Sequence, residues 1–176
     1  MIPWDWNAAP EERAAHFPSD DYLTIATRRL TRAVTIEAPA PAVFRWLCQL
    51  KVAPYSYDWI DNLGGRSPRQ LTPGVDQLAV GQPFLVFRLV EFQEGLSLTG
   101  VVQPRFERLY GSLAVSYAIM PRRDGTCRLI VRLNASATTS LQRVRRALLA
   151  SGDLIMMRKQ LLTLKNLAEG EPTRSM

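Results

Sequence analysis

The sequence is poor in the residues that most metal sites require. It contains one histidine, His16, and two cysteines, Cys48 and Cys127, which lie far apart in the chain. A structural zinc site takes four cysteine or histidine ligands, often in closely spaced pairs, so we expect no metal ion here. Both cysteines lie in apolar patterns, which predicts reduced, inert thiols.

Catalytic motifs are missing as well. Serine–histidine catalysis needs an imidazole held beside the nucleophile, whereas His16 lies just before Phe17 and Pro18 with no orienting partner nearby, so we predict a surface position for it. The chain has no G-x-S-x-G turn, no glycine-rich phosphate loop and no H-E-x-x-H helix. These absences exclude most hydrolases, kinases and metalloenzymes, and we expect no cofactor.

Lysines and long apolar runs are scarce too. Three of the 22 basic residues are lysines, and the formal net charge is +6. The arginines are spread from Arg13 to Arg174 without the basic stripe of nucleic-acid-binding proteins, so we expect no nucleic-acid partner. No apolar run approaches the roughly 18–20 residues of a membrane span. The first residues do not resemble a signal peptide, so we expect a cytoplasmic protein without a membrane span.

What the sequence does have is an apolar content of 47% in 176 residues, enough for one well-buried core. We predict a single domain over residues 1–176. It consists of an N-terminal extension at 1–29 with a short helix, a central region at 30–137, and a closing helix at 153–169.

Alternating residues predict most of a sheet. From Leu30 to Glu37 the side chains alternate with the period of two that is typical of a strand. Pro41 then opens an amphipathic helix that runs to Leu50. Four strand-like segments follow, separated by turn residues: Phe84–Gln93, Leu96–Gln103, Ser112–Met120 and Thr126–Ala137.

Helices are predicted towards both ends of the chain. Pro10 fits the first turn of a short helix, after which Asp20 and Asp21 predict a turn. An apolar stripe at intervals of three and four residues predicts a closing helix from Asp153 to Glu169. The stretch Pro104–Gly111 is interpreted as a loop between two strands.

The densest chemical feature is the run from Tyr55 to Pro68, which begins with three large aromatic side chains. This density fits a short helix on the rim of a pocket, where aromatic rings line the wall and polar tips meet a guest. We assign no catalytic residue. The residues predicted to bind a ligand, two of them on strands, are Tyr55, Tyr57, Asp58, Trp59, Asn62, Arg88 and Tyr117.

These residues have alternative interpretations. The aromatic rings either stack on a flat guest or belong to the plain core. Asp58 and Asp61 either form an acid–base pair or stabilise the positive end of a short helix. Asn62 either binds the ligand or ties down nearby backbone. Arg88 either points outwards into solvent or holds an anionic group of the ligand, and the cost of a buried unpaired charge favours the outward position.

Six short motifs recur in a known superfamily: Ala33–Pro39, Val43–Gln49, Tyr55–Trp59, Leu78–Gly81, Gly125–Arg132 and Met157–Leu161. In type and order they resemble a bacterial branch of the SRPBCC superfamily, the helix-grip proteins that include START-like lipid carriers and polyketide cyclases. The resemblance covers roughly residues 4–169, and Tyr55–Trp59 is its most specific motif.

The resemblance implies an α+β helix-grip fold. In this fold a curved antiparallel sheet wraps around a long C-terminal helix, two short helices follow the first strand, and a cavity lies between sheet and helix. It also implies a small, largely apolar ligand in that cavity, such as a lipid, a polyketide or an aromatic metabolite. Two alternatives stay open: a metal-free cyclase or dehydratase acting in the same cavity, and a protein-interaction module, for example a homodimer formed through the outer face of the sheet.

Overall fold

The computed structural model describes residues 5–23, 28–55, 67–136 and 156–170. In chain order, the elements are α1 (Pro10–Ala14), α2 (Pro18–Tyr22), β1 (Arg28–Ile36), α3 (Ala40–Cys48), a 3-10 turn (Gln49–Lys51), β2 (Pro83–Phe84), β3 (Phe87–Gln93), β4 (Ser97–Val102), α4 (Pro104–Tyr110), β5 (Ser112–Pro121), β6 (Cys127–Ser136) and the closing helix α5 (156–169). The strands predicted at 30–37, 96–103, 112–120 and 126–137 are therefore confirmed, as are α1, α3 and the described part of the closing helix. The segment predicted as one strand from Phe84 to Gln93 is instead a hairpin, in which Phe84 of β2 lies opposite Phe87 of β3. The second short helix, predicted after α3, lies outside the described residues.

Two further predictions, both about short segments, are wrong. Asp20 and Asp21 lie in α2 rather than in a turn, because Pro18 opens the helix and the Asp20 carboxylate accepts the backbone N–H of Phe17 at 3.0 Å. Likewise, the expected loop after β4 is helix α4, which Pro104 opens. In both cases a proline is the first residue of a helix that was not predicted, and its missing N–H costs nothing there.

The six strands form one curved antiparallel sheet in the order β1-β6-β5-β4-β3-β2. Helix α5 packs on its inner face. Leu161 and Leu164 of α5 belong to the same core cluster as Val34 of β1 and Val131 of β6. No helix in the described ranges has the length and apolar character needed to cross a membrane.

The pairing of the strands shows which side chains face α5. Val131 of β6 lies opposite Arg32 of β1 on one side and opposite Tyr117 of β5 on the other. Directly opposed residues share one face of a sheet, so Arg32 and Tyr117 lie on the inner face together with Val131. Both are buried, with 1% and 0% of their surface exposed.

The outer face carries a buried polar network under the N-terminal segment, residues 5–23. Arg132 Nη1 lies 3.7 Å from Asp20 Oδ1, to which Asn134 Nδ2 donates a hydrogen bond of 2.7 Å. The backbone N–H of Ser19 donates to Ser116 Oγ at 2.8 Å. All five residues are buried. A homodimer through the outer face would therefore have to use the part that this segment leaves uncovered.

Candidate functional site

A chain of hydrogen bonds crosses the interior between the sheet and α5. The Tyr117 hydroxyl donates to Gln160 Oε1 at 2.9 Å, and Gln160 Nε2 donates to the carbonyl oxygen of Pro54 at 2.6 Å. Both side chains are buried. Tyr117 was a predicted ligand residue, whereas Gln160 was missed, although it lies one helical turn after Met157 on the apolar stripe of α5.

Hydrogen bonds of the Gln49 side chain link Tyr55, the first residue of the predicted aromatic segment, to the residues that follow this segment. Its Nε2 donates to the Tyr55 hydroxyl at 3.0 Å and to the Gln70 carbonyl at 3.2 Å. Its Oε1 accepts the backbone N–H of Thr72 at 3.1 Å, and the Tyr55 hydroxyl donates to the Pro68 carbonyl at 2.8 Å. Position 55 and positions 68–72 are therefore held by one buried amide.

Tyr55 itself is a buried anchor. Its backbone is left-handed, with φ = +55°, which is uncommon for a bulky residue and costs roughly 1–2 kcal/mol. The contacts of its hydroxyl, and an edge-to-face contact of its ring with Trp46 at 6.1 Å between centroids, offset that cost. The structure thus places this predicted ligand residue in the core, next to the Tyr117–Gln160–Pro54 chain.

Trp46 of α3 carries a donor without an acceptor. The side chain is 2% exposed and lies in the main core cluster. Its indole N–H meets no hydrogen-bond acceptor among the described residues. A buried unsatisfied donor costs about 1–3 kcal/mol, and a buried tryptophan N–H usually finds a partner. The indole N–H of Trp46 is therefore a buried donor in the core to which an oxygen atom of a guest would bind.

Arg32 is a charged inner-face residue that was not among the predicted site residues. It lies between Leu30 and Val34 on the face that packs against α5. The sequence indicated this position, because Arg32 alternates in phase with the apolar residues Leu30 and Val34. Arg32 therefore brings a buried guanidinium group to the inner face.

Arg88 lies elsewhere. It is opposite Val101 of β4, whose neighbour Ala114 on β5 lies opposite Asn134 on the outer face. The side chain is exposed. The structure therefore places Arg88 on the outer face, as its outward interpretation expected, and not on the inner face that packs against α5.

The remaining predicted ligand residues, Tyr57, Asp58, Trp59 and Asn62, lie outside the described residues, as does Asp61. Of the residues that are described, the structure brings Tyr55 and Tyr117 into one core cluster. Three further residues contact this pair: Trp46 and Gln49 contact Tyr55, and Gln160 accepts a hydrogen bond from Tyr117. Arg88 lies apart from them.

The thiols are buried and the histidine is exposed, as predicted, but Asp21 gives the histidine an acidic partner that was not expected. Cys48 and Cys127 are reduced and buried, and burial raises the pKa of Cys48 to about 12 and also raises the pKa of Cys127. His16 is exposed, with its Nε2 2.9 Å from Asp21 Oδ1. Within the described ranges, no three histidine, cysteine or acidic side chains converge on a common point as metal ligands would.

Comparison with known proteins finds similar proteins by structure only. No protein-family model and no curated protein sequence matches the chain. The protein MLL2253 of Mesorhizobium loti is 17% identical, with a TM-score of 0.52 over 82% of this chain and 99% of that one. CV1439 of Chromobacterium violaceum is 14% identical, with a TM-score of 0.51 over 81% of this chain and 98% of that one.

A third match is the di-domain ARO/CYC protein BexL from the BE-7585A biosynthetic pathway. It is 14% identical, with a TM-score of 0.51, and the match covers 81% of this chain and 47% of BexL. At such identities the likeness concerns the fold. With the strand order and the helix packed on the inner face, these matches show that the chain has the helix-grip fold that the resemblance implied.

Proposed function

We propose that the chain binds a small, largely apolar molecule between the inner face of the sheet and α5. The observation that carries this proposal is the buried indole N–H of Trp46, which has no acceptor among the described residues although it lies in an apolar core. A guest that brings one oxygen atom into that core removes the cost of the unsatisfied donor.

The inner face also suggests the chemistry of the guest. Aliphatic side chains make up most of it, among them Leu98, Val115, Ile119, Leu129, Val131 and Leu133. Tyr117 and Arg32 add polar groups at fixed positions. Ligand pockets are typically apolar with a few well-placed polar groups, so a lipid, a polyketide or an aromatic metabolite with few oxygen atoms fits best. The match to BexL, an ARO/CYC protein of a biosynthetic pathway, supports a guest of metabolite size.

The alternative function is that of a cyclase or dehydratase acting in the same space. Such an enzyme needs a side chain that polarises a carbonyl group, and the candidates for that role are Tyr57, Asp58 and Arg88. Arg88 lies on the outer face and is removed from that role. Tyr57 and Asp58 stay as hypotheses. Turnover of a polyketide substrate that survived both Tyr57→Phe and Asp58→Asn would exclude them.

Two neutral dyes test the binding proposal. Prodan carries a ketone oxygen, and N-phenyl-1-naphthylamine is an apolar dye without an oxygen atom. We expect both to fluoresce more strongly with the wild-type protein. Trp46→Phe keeps an aromatic ring but deletes the N–H, so the Kd for Prodan should rise about five- to tenfold, while that for N-phenyl-1-naphthylamine should change by less than about twofold.

Further variants guard against trivial results. Trp59→Ala should weaken the binding of both dyes, and Val80→Ala, at a position 65% exposed, should change neither. Circular dichroism confirms that each variant is folded. A wild-type protein that takes up neither dye would overturn the proposal.

A further inference from the structure

We propose a second binding site, which lies outside the region between the sheet and α5 and is independent of the interior ligand. It binds the phosphate or carboxylate group of a small water-soluble molecule. The site is a depression of about 310 Å³ near the start of β3 and α4. It is lined by Gly81, Pro83, Arg88, Gln103, Pro104 and Arg105. Among the described residues, the lining therefore contains two cationic side chains and no acidic one.

The guanidinium N–H groups of both arginines are available to donate hydrogen bonds. Arg88 and Arg105 are exposed, and neither guanidinium forms an ion pair or a hydrogen bond within the described part of the chain. The Arg105 guanidinium lies 4.7 Å from the centroid of the Phe106 ring, a cation–π contact that limits its freedom but leaves its N–H groups unused. Two like charges at one depression repel each other, and an anion bound between them relieves that repulsion.

The wall between the two arginines is fixed by hydrogen bonds. Gln103 Nε2 donates to the carbonyl oxygens of Leu85 at 3.3 Å and Phe87 at 3.1 Å. The backbone N–H of Gly81 donates to the Leu89 carbonyl at 2.8 Å. These donors are already engaged, so the guanidinium groups supply the recognition. The planar fork of a guanidinium matches the oxygens of carboxylate and phosphate.

Nitrogen-15 NMR of the full chain tests the site directly. Inorganic phosphate and then citrate are titrated while the backbone N–H of Gly81 and the side-chain Nε–H groups of the arginines are followed. We expect saturable shifts at Gly81, Arg88 and Arg105. Arg88→Gln and Arg105→Gln should each raise the Kd at least about fivefold, because each removes one of the two cations.

Arg108→Gln is the matched control. It removes an exposed arginine from the same helix, but Arg108 does not line the depression, so the Kd should stay within about twofold of wild type. An equal loss in all three variants would overturn the proposal, because it would mean diffuse attraction to a basic surface.

Two further outcomes would also overturn it. One is the absence of saturable shifts with either anion. The other is protein that sediments with phosphatidylglycerol vesicles while phosphate and citrate give no shift, since the phosphate would then be recognised only on a lipid surface. Prodan binding by the Arg88→Gln variant should equal that of wild type, so failure at this site and failure of the interior site are distinguishable.

Discussion

The hydroxyl of Tyr117 on β5 donates a 2.9 Å hydrogen bond to Gln160 on α5, inside the apolar core. The Nε2 atom of the same Gln160 side chain donates a second hydrogen bond to the Pro54 carbonyl oxygen. Three separate parts of the molecule are thus joined by one buried polar chain: the sheet, the closing helix and the residues before the aromatic segment. A buried network whose members find partners rigidifies a core and specifies one arrangement of it.

Tyr117→Phe and Gln160→Met should each lower the free energy of unfolding by about 1–2 kcal/mol, because each leaves a buried polar partner unsatisfied. The double variant should show a coupling of about 0.5–1.5 kcal/mol in urea denaturation, since the two residues share one hydrogen bond. Tyr110→Phe on α4 deletes the same hydroxyl outside the core and should cost less than about 0.5 kcal/mol. Strict additivity of the two core changes would contradict the linkage.

Gln49→Leu should loosen the anchor of the aromatic segment. The leucine keeps the volume but removes the amide that binds Tyr55, Gln70 and Thr72, so we expect a loss of about 2–3 kcal/mol. Hydrogen exchange at the Thr72 amide should be faster in the variant, because that N–H loses its acceptor. Gln77→Leu, at an exposed position, serves as the control. Unchanged protection at Thr72 would show that Gln49 does not hold this region.

Asp20 should make stability depend on pH. Burial by itself raises the pKa of this carboxyl, but hydrogen bonds from Phe17 and Asn134 and the charges of Arg132 and Arg29 outweigh it and lower the pKa below its ordinary value. The carboxylate therefore stabilises the fold above its unfolded pKa of about 3.9, and this contribution is lost as the pH falls through the lower, folded pKa.

Asp20→Asn should accordingly lower the free energy of unfolding by about 1–3 kcal/mol at neutral pH. This difference in stability between the variant and the wild type should shrink as the pH falls below about 4. Urea denaturation at pH 7 and pH 3 measures both values. Asp21→Asn, in the same helix but exposed, is the control and should matter by less than about 0.5 kcal/mol. An equal deficit for Asp20→Asn at the two pH values would argue against this assignment.

The two thiols should be unreactive in the folded protein. With the pKa of Cys48 at about 12, on the order of one molecule in ten thousand carries that thiolate at pH 8, and only the thiolate attacks disulfide reagents. Ellman's reagent should therefore detect two thiols in denaturant and almost none in native buffer. Reaction of either cysteine within minutes in native buffer would contradict the burial of these side chains.

The regular parts of the fold could be predicted because one buried face imposes a period on the sequence. The alternation from Leu30 to Ile36 marks β1, and α3 follows from its apolar spacing. Helices α2 and α4 could not be predicted, because a proline such as Pro18 or Pro104 opens a helix as readily as it ends an element. The tertiary contact that decides between the two is absent from local sequence.

The candidate site was predictable only in part. Tyr117 was placed correctly on a buried face because its strand alternates. Gln49 and Gln160 were missed because an amide in an apolar helical stripe shows its role only when distant partners such as Thr72 and Pro54 are known. Arg32 was passed over although it interrupts an apolar face, and a buried charge at such a position is the signal that a sequence does offer.

Uptake of an apolar molecule beside α5 is tested most directly by NMR of carbon-13-labelled methyl groups on β6. Leu129, Val131 and Leu133 lie in the core cluster shared with α5, whereas Ile130, on the same strand, packs against Phe17 on the outer face. Titration with N-phenyl-1-naphthylamine should give saturable shifts of the three inner residues and leave Ile130 unchanged. Inner methyl groups that stay unchanged at saturating dye, or that shift no more than Ile130, would contradict a ligand-binding interior.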